Sequence, residues 1–131
     1  MTAADDARFW DKIAPRYAAS KIADPDGYVR TLERTSSFLK PDQHVLELGC
    51  GTGYVSGWMA RRGGRVTAID VSDQQLVTAR RLAELHGAKI TFLEGNAEAT
   101  GLADQSFDFA ISEYGAAIWC RPEIWLREAW R

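Results

Sequence analysis

The chain predicts an α/β fold in which a parallel sheet is covered by helices on both faces, three layers in all. Three observations carry this. Val45 to Leu48 is a short apolar run that breaks into glycines at 49, 51 and 53, and a helix-compatible stretch from Tyr54 to Arg62 follows at once. Strand-like and helix-like runs then alternate to the end, the pattern of parallel strands joined by crossover helices. Each of the later strand runs, Arg65 to Asp70, Lys89 to Glu94 and Phe107 to Ser112, is punctuated by glycine or by turn-forming polar residues.

Size and composition set the outer bounds. At 131 residues one domain is expected. An apolar content of 46% with five Trp argues for a packed core rather than disorder. The net charge of −2 offers no electrostatic case for nucleic acid as a partner. Cys50 and Cys120 fit no metal-ligand spacing, so no metal site is expected, and a reducing, cytoplasmic setting suits them better than a disulfide scaffold. Asp5 and Asp6 precede any apolar run, which argues against a secretory signal. No apolar run approaches the roughly 20 residues of a membrane span, so no membrane partner is expected.

The elements follow in order. Residues 1–7 are small and polar, and fraying is expected there. Phe9, Trp10, Ile13 and Tyr17 recur near helical spacing, with Pro15 breaking the pattern near Ala14. Asp24 to Gly27 has the chemistry of a turn, and a second helix from Tyr28 to Phe38 or Leu39 is expected. Residues 1–40 thus read as a helical cap and residues 41–131 as one folding unit. After the glycine turn, Val55, Trp58 and Met59 mark a buried helix face that Gly63-Gly64 stops. Arg65 to Asp70 forms a strand ending in an acid. Ser72-Asp73-Gln74-Gln75 has the form of a capping box, so the next helix starts at Asp73. Its face of Leu76, Ala79, Leu82, Ala83 and His86 spans about 120°, and Gly87 closes it. The strand Lys89 to Glu94 leads into a polar loop from Gly95 to Ser106, then the strand Phe107 to Ser112. Pro122 suits the first turn of a last helix carrying Trp125, Leu126, Ala129 and Trp130.

A strand, a glycine turn and a helix together open a nucleotide-binding unit: a main chain without Cβ atoms lets a ligand approach, and the helix start presents free N–H groups. The spacing Gly49-x-Gly51-x-Gly53 is not the dinucleotide fingerprint, because Tyr54 stands where its third glycine belongs. No Gly-Lys-Ser/Thr follows, so a phosphate-cradling loop is excluded. Asp70 at the end of the second strand suits both hydroxyls of an adenosine ribose, although a helix-flanking acid near Ser72 is the plainer alternative. Two free ribose hydroxyls without phosphate contacts suit S-adenosyl-L-methionine.

The run Val45-Leu46-Glu47-Leu48-Gly49-Cys50-Gly51-Thr52-Gly53 resembles motif I of the class I S-adenosylmethionine-dependent methyltransferases. Three further stretches match that family in order and spacing: Ala68 to Ser72 its ribose-binding strand end, Gly95 to Glu98 its adenine segment, and Ser106 to Tyr114 its strand beside the methyl donor. Trp10 to Tyr17 is similar to the N-terminal helix of small-molecule members, including quinone methyltransferases. The resemblance implies a Rossmann-like sheet in the order 3-2-1-4 and methyl transfer to a small-molecule acceptor, with S-adenosyl-L-homocysteine as product. It places Gly49, Cys50, Gly51, Thr52 and Gly53 along the methionine portion of the cofactor, with Glu47 bracing that loop or reaching toward the amino group through water. It gives the ribose to Asp70, with Val71 beside the adenine and Asn96, Ala97 and Glu98 along its edge. Tyr17 would close over the cofactor, while Ser112, Glu113 and Tyr114 would sit nearest the methyl. Glu113 is then the candidate base, with Tyr114 a second candidate or a pocket wall. On residues alone, Asn96 and Glu98 read equally as a solvated turn, whereas Glu113 reads rather as a solvated or hydrogen-bonding acid and Tyr17 rather as core.

The family sheet has seven strands and this chain supplies four, so it reads as truncated relative to the family. The fourth strand is then left at an open edge. A fragment, a homodimer paired through that edge, and a natural short form are the three explanations. Two functions of different classes follow: a methyltransferase, or a cofactor-binding module without activity of its own, truncated or completed by a partner chain. A dehydrogenase is a distant third because the fingerprint glycine is missing.

Overall fold

The computed structural model describes residues 2–5, 7–9, 11–12 and 38–131. Its elements run β1 (His44–Leu48), α1 (Tyr54–Arg61), β2 (Arg65–Asp70), α2 (Asp73–Leu85), β3 (Ile90–Glu94), β4 (Phe109–Ile111), α3 (Ala116–Trp119) and α4 (Pro122–Trp130). The four strands form one parallel sheet in the order β3-β2-β1-β4, as expected. Register sets Val45 beside Val66 on one side and beside Phe109 on the other.

Alternation along the strands divides the core between two faces. Val45 and Val66 pack with Val55 and Met59 of α1, and Ala68 packs with Leu76 of α2. Leu46, Leu48 and Ile69 point the other way and meet Ala116 of α3 and Trp125 and Ala129 of α4. Helices therefore cover both faces, and the carboxyl ends of β1, β2 and β4 are left to share one rim. Among the described residues no helix is long and apolar enough to cross a membrane.

The structure departs from expectation in several places. β4 is three residues, not the six of Phe107 to Ser112, because Asp108 is spent on the strand start: its carboxylate accepts from the His44 N–H at 2.7 Å. α3 was not foreseen. Residues 3–5 and 7 are helical, not frayed; Thr2 and Asp5 cap each other, with the Thr2 hydroxyl donating to Asp5 at 2.7 Å and the Asp5 N–H donating back at 3.2 Å. On α4, Leu126 and Trp130 are exposed, since only the Trp125–Ala129 side of the helix meets the sheet. His86 likewise is exposed and caps α2 rather than packing beneath it. The expected break near Pro15, the turn at 24–27 and residues 28–37 of the helix expected from Tyr28 to Phe38 or Leu39 lie outside the described residues; Phe38 and Leu39 themselves are not helical.

Candidate functional site

The glycine turn leaves β1 and folds back over β2, where the N–H groups of Gly49 and Cys50 both donate to the Ile69 carbonyl at 2.8 and 2.9 Å. Gly49, Gly51 and Gly53 all have positive φ, between 54° and 77°, a region that L side chains avoid. Gly53 then starts α1, which turns its first residues toward the cavity at the sheet rim.

Asp70 stands at the centre of this rim. It is buried, and each of its oxygens holds one N–H: Gly51 at 2.8 Å and Ser72 at 2.9 Å. The carboxylate thus ties the glycine turn to the start of α2. Burial raises its pKa, against the lowering effect of those N–H groups. This arrangement also takes apart the expected capping box. The Ser72 hydroxyl does accept from the Gln75 N–H at 3.2 Å, but the Ser72 N–H is given to Asp70. The Gln75 side chain therefore caps nothing; it is buried at the cavity wall with Oε1 unpaired.

Glu47 is buried beneath the turn. The Ser56 hydroxyl and N–H both donate to one of its oxygens, at 2.6 and 3.1 Å. Burial lifts its pKa to about 8, with the neighbouring charges of Asp70 and Glu113 adding to the rise. Cys50 is also buried, which pushes its thiol well above the ordinary value. A protonated thiol is a poor nucleophile.

Of the residues singled out from sequence, Glu47, Gly49, Cys50, Gly51, Thr52, Asp70, Val71, Asn96, Ala97, Glu98, Glu113 and Tyr114 line one cavity. Two do not. Gly53 lies behind the wall, where a Cβ would fall 3.2 Å from the Phe92 ring. Ser112 is committed to the scaffold: its hydroxyl donates to the Leu48 carbonyl at 2.8 Å and accepts the Ala117 N–H at 3.2 Å. Tyr17 lies outside the described residues. The reading of 96–98 as a turn is also realised, since Asn96 accepts the Glu98 N–H at 2.9 Å and Glu98 accepts the Arg121 N–H at 2.8 Å. Sequence reasoning missed Gln75, Trp119, Cys120 and Arg121 on the walls, and Thr2 and Ala3 from the N-terminal segment. Only tertiary structure brings these together.

The cavity is acidic. Among the described residues Asp70, Glu98 and Glu113 line it, with Glu47 protonated at neutral pH beneath them, against one basic side chain, Arg121, whose guanidinium is bound to Glu123 at 2.7 Å. Such a wall disfavours a pyrophosphate and suits a ligand that carries positive charge beside a dihydroxy sugar.

Residues 45–131 match the family described as methyltransferase domain. The chain belongs to that family. The buried Asp70 and the side-chain-free glycine turn fit the S-adenosyl-L-methionine that the motif I resemblance implies. The chain is 33% identical to a malonyl-[acyl-carrier protein] O-methyltransferase of Serratia marcescens over 92% of its own length and 47% of the relative's. It is 28% identical to a ubiquinone biosynthesis O-methyltransferase of Azorhizobium caulinodans, over 81% of this chain and 45% of that one. Its fold overlays a SAM-dependent methyltransferase of Thermotoga maritima with a TM-score of 0.76 at 24% identity, covering 95% of this chain and 55% of the other. The chain thus spans about half the length of these curated relatives.

Proposed function

We propose that this chain is an S-adenosyl-L-methionine-dependent methyltransferase that acts on a small-molecule acceptor. The observation that carries the reading is Asp70, a buried carboxylate on an acidic cavity wall that joins the glycine turn to α2. In this reading Gly49 to Thr52 receive the methionine portion, Asp70 accepts the ribose hydroxyls, and Val71 with Asn96 to Glu98 flanks the adenine. When bound, the cofactor supplies a sulfonium methyl already activated for in-line displacement. The chain's task is then alignment and exclusion of water. Glu113 and Tyr114, on the β4 side of the cavity, face the acceptor, and Glu113 takes a proton where the acceptor must lose one.

A second reading is supported by the share of the relatives that the chain spans: a module that binds the cofactor without turnover. Calorimetric titration with S-adenosyl-L-methionine and S-adenosyl-L-homocysteine tests what both readings share. Micromolar binding that Asp70→Ala weakens about tenfold, about 1.4 kcal/mol, supports the site. No binding by a folded chain removes it. Transfer of a labelled methyl into a metabolite extract then favours the enzyme, and tight binding without transfer favours the module. Pairing of two copies through the β4 edge belongs to the same proposal, and sedimentation as a monomer removes it.

A further inference from the structure

The start of α2 is closed by a residue far away in sequence. The Asp11 carboxylate accepts the Ser72 hydroxyl at 2.6 Å and the Gln74 N–H at 3.2 Å, through the same oxygen. It takes the Gln74 N–H, which the Ser72 cap on the Gln75 N–H leaves open, while the Ser72 N–H is held by Asp70 at 2.9 Å. Asp11, Ser72, Asp70 and Gly51 thus form one continuous chain of hydrogen bonds from the N-terminal segment to the glycine turn. The same segment reaches the opposite wall. The Phe9 ring packs on Trp119 of α3 with centroids 5.5 Å apart, and Thr2 and Ala3 line the cavity, as Trp119 does.

We infer that Asp11 is a positioning residue for cofactor retention: it pins the described N-terminal residues, Thr2, Ala3 and Phe9 among them, across the cavity from the α2 wall to the α3 wall, and holds Ser72 and Asp70 in register with the glycine turn. This rests on the proposed cofactor reading and adds a part to it. The bonds formed by Asp11 require an oxygen acceptor rather than a charge. Its neutral isostere therefore keeps the bridge and alanine breaks it. Loss of the bridge acts on escape of the ligand more than on capture, as interface changes generally do.

The test is a chase experiment. Tritiated S-adenosyl-L-methionine bound to the 131-residue chain is displaced by excess unlabelled S-adenosyl-L-homocysteine, and the release rate is read by rapid filtration. Asp11→Ala is expected to release label about tenfold faster with association changed less than about threefold, and Asp11→Asn to behave as the wild type. Phe9→Ala, at a surface position, is expected to speed release as well and covers the case in which Asp11→Ala does not fold. Retention of label by the wild type with unchanged release from Asp11→Ala and Phe9→Ala overturns the bridge while leaving the cofactor site standing. Equal acceleration by Asp11→Asn and Asp11→Ala overturns it too, because charge and not hydrogen bonding would then be at work. Failure of the wild type to retain label overturns the cofactor reading, and this inference with it.

Discussion

Gly49 and Gly115 touch main chain to main chain: a Cβ built on Gly115 would lie 2.4 Å from the Gly49 carbonyl oxygen, and one built on Gly49 would lie 2.7 Å from the Gly115 Cα. This contact presses the glycine turn after β1 against the loop between β4 and α3, two segments that line the same cavity. The neighbouring Tyr114 is held at a φ of 52°, an unusual region for a bulky side chain.

Gly115→Ala is therefore expected to destabilise the fold by about 3 kcal/mol, since backbone cannot move aside as a side chain can. Gly57→Ala is the counter-case. It lies within α1, and a Cβ there meets nothing within 4 Å. It should stabilise by about 0.5–1 kcal/mol through helix propensity alone. Urea unfolding of both variants against the wild type checks the pair; similar shifts of the same sign would refute the close packing of the two glycines.

Why some of this was legible in sequence and some was not follows from the range of the forces. β2 was placed to the residue and both α1 and α2 to their first residue, because glycine breaks and the Ser72 cap are local signals. The expected fourth strand is too long, since the alternation of Phe107, Phe109 and Ile111 reads as strand while only Phe109 to Ile111 pair with β1, and pairing is a tertiary fact. α3 is four residues long, too short for any periodicity to show. Within the site, motif residues such as Gly51 and Asp70 announce themselves by spacing. Ser112 does not: its residue type is the same whether it faces a ligand or holds the Leu48 carbonyl. Asp11 and Gln75 were missed for the same reason, as their roles are set by partners across the fold.

Glu47 makes stability depend on pH. Burial raises its pKa from 4.5 to about 8, so the folded chain keeps a proton that the unfolded chain releases. Its contribution is fully present below about pH 4.5 and is lost progressively as pH rises toward about 8, by up to about 1.4 kcal/mol per unit. Glu47→Gln keeps an oxygen to accept from Ser56 and removes the titration. Between about pH 5.5 and pH 7.5, the wild type should lose stability relative to this variant at roughly 1 kcal/mol per unit. Urea midpoints measured at several pH values would show parallel curves if Glu47 were ionised in the fold.

At the other end of the sheet, Glu128 acts in the opposite sense. One of its oxygens accepts the Thr100 N–H at 2.9 Å, the Thr100 hydroxyl at 2.5 Å and the Arg131 guanidinium at 2.6 Å. Arg131 in turn holds the Leu102 carbonyl at 2.6 Å and pairs with Asp104. The guanidinium bond, ahead of the Thr100 bonds, lowers the Glu128 pKa to about 2. Its stabilisation is present above about pH 4.5 and fades as pH falls through about 2. The pair with Arg131 is only partly screened, because solvent reaches the guanidinium more than the carboxylate, so the loss is shared between Arg131 and Thr100. Glu128→Ala should cost about 1 kcal/mol at neutral pH, and the difference from the wild type should shrink near pH 2. A difference that does not change with pH would mean that the carboxylate charge is irrelevant to the loop.

Asp70 offers the sharpest test of the site, because its isostere is not equivalent. Both carboxylate oxygens face N–H donors, Gly51 on one side and Ser72 on the other. Asparagine has one acceptor oxygen, so its amide nitrogen must point at a donor whichever way it turns. One N–H loses its partner and the link between the glycine turn and α2 is broken, at about 1–3 kcal/mol. Asp70→Asn is therefore expected to lower thermal stability and to weaken S-adenosyl-L-homocysteine binding about as much as Asp70→Ala, roughly tenfold or more. Were Asp70 simply a surface acid flanking the helix, the asparagine would cap α2 equally well, and both stability and binding would be preserved.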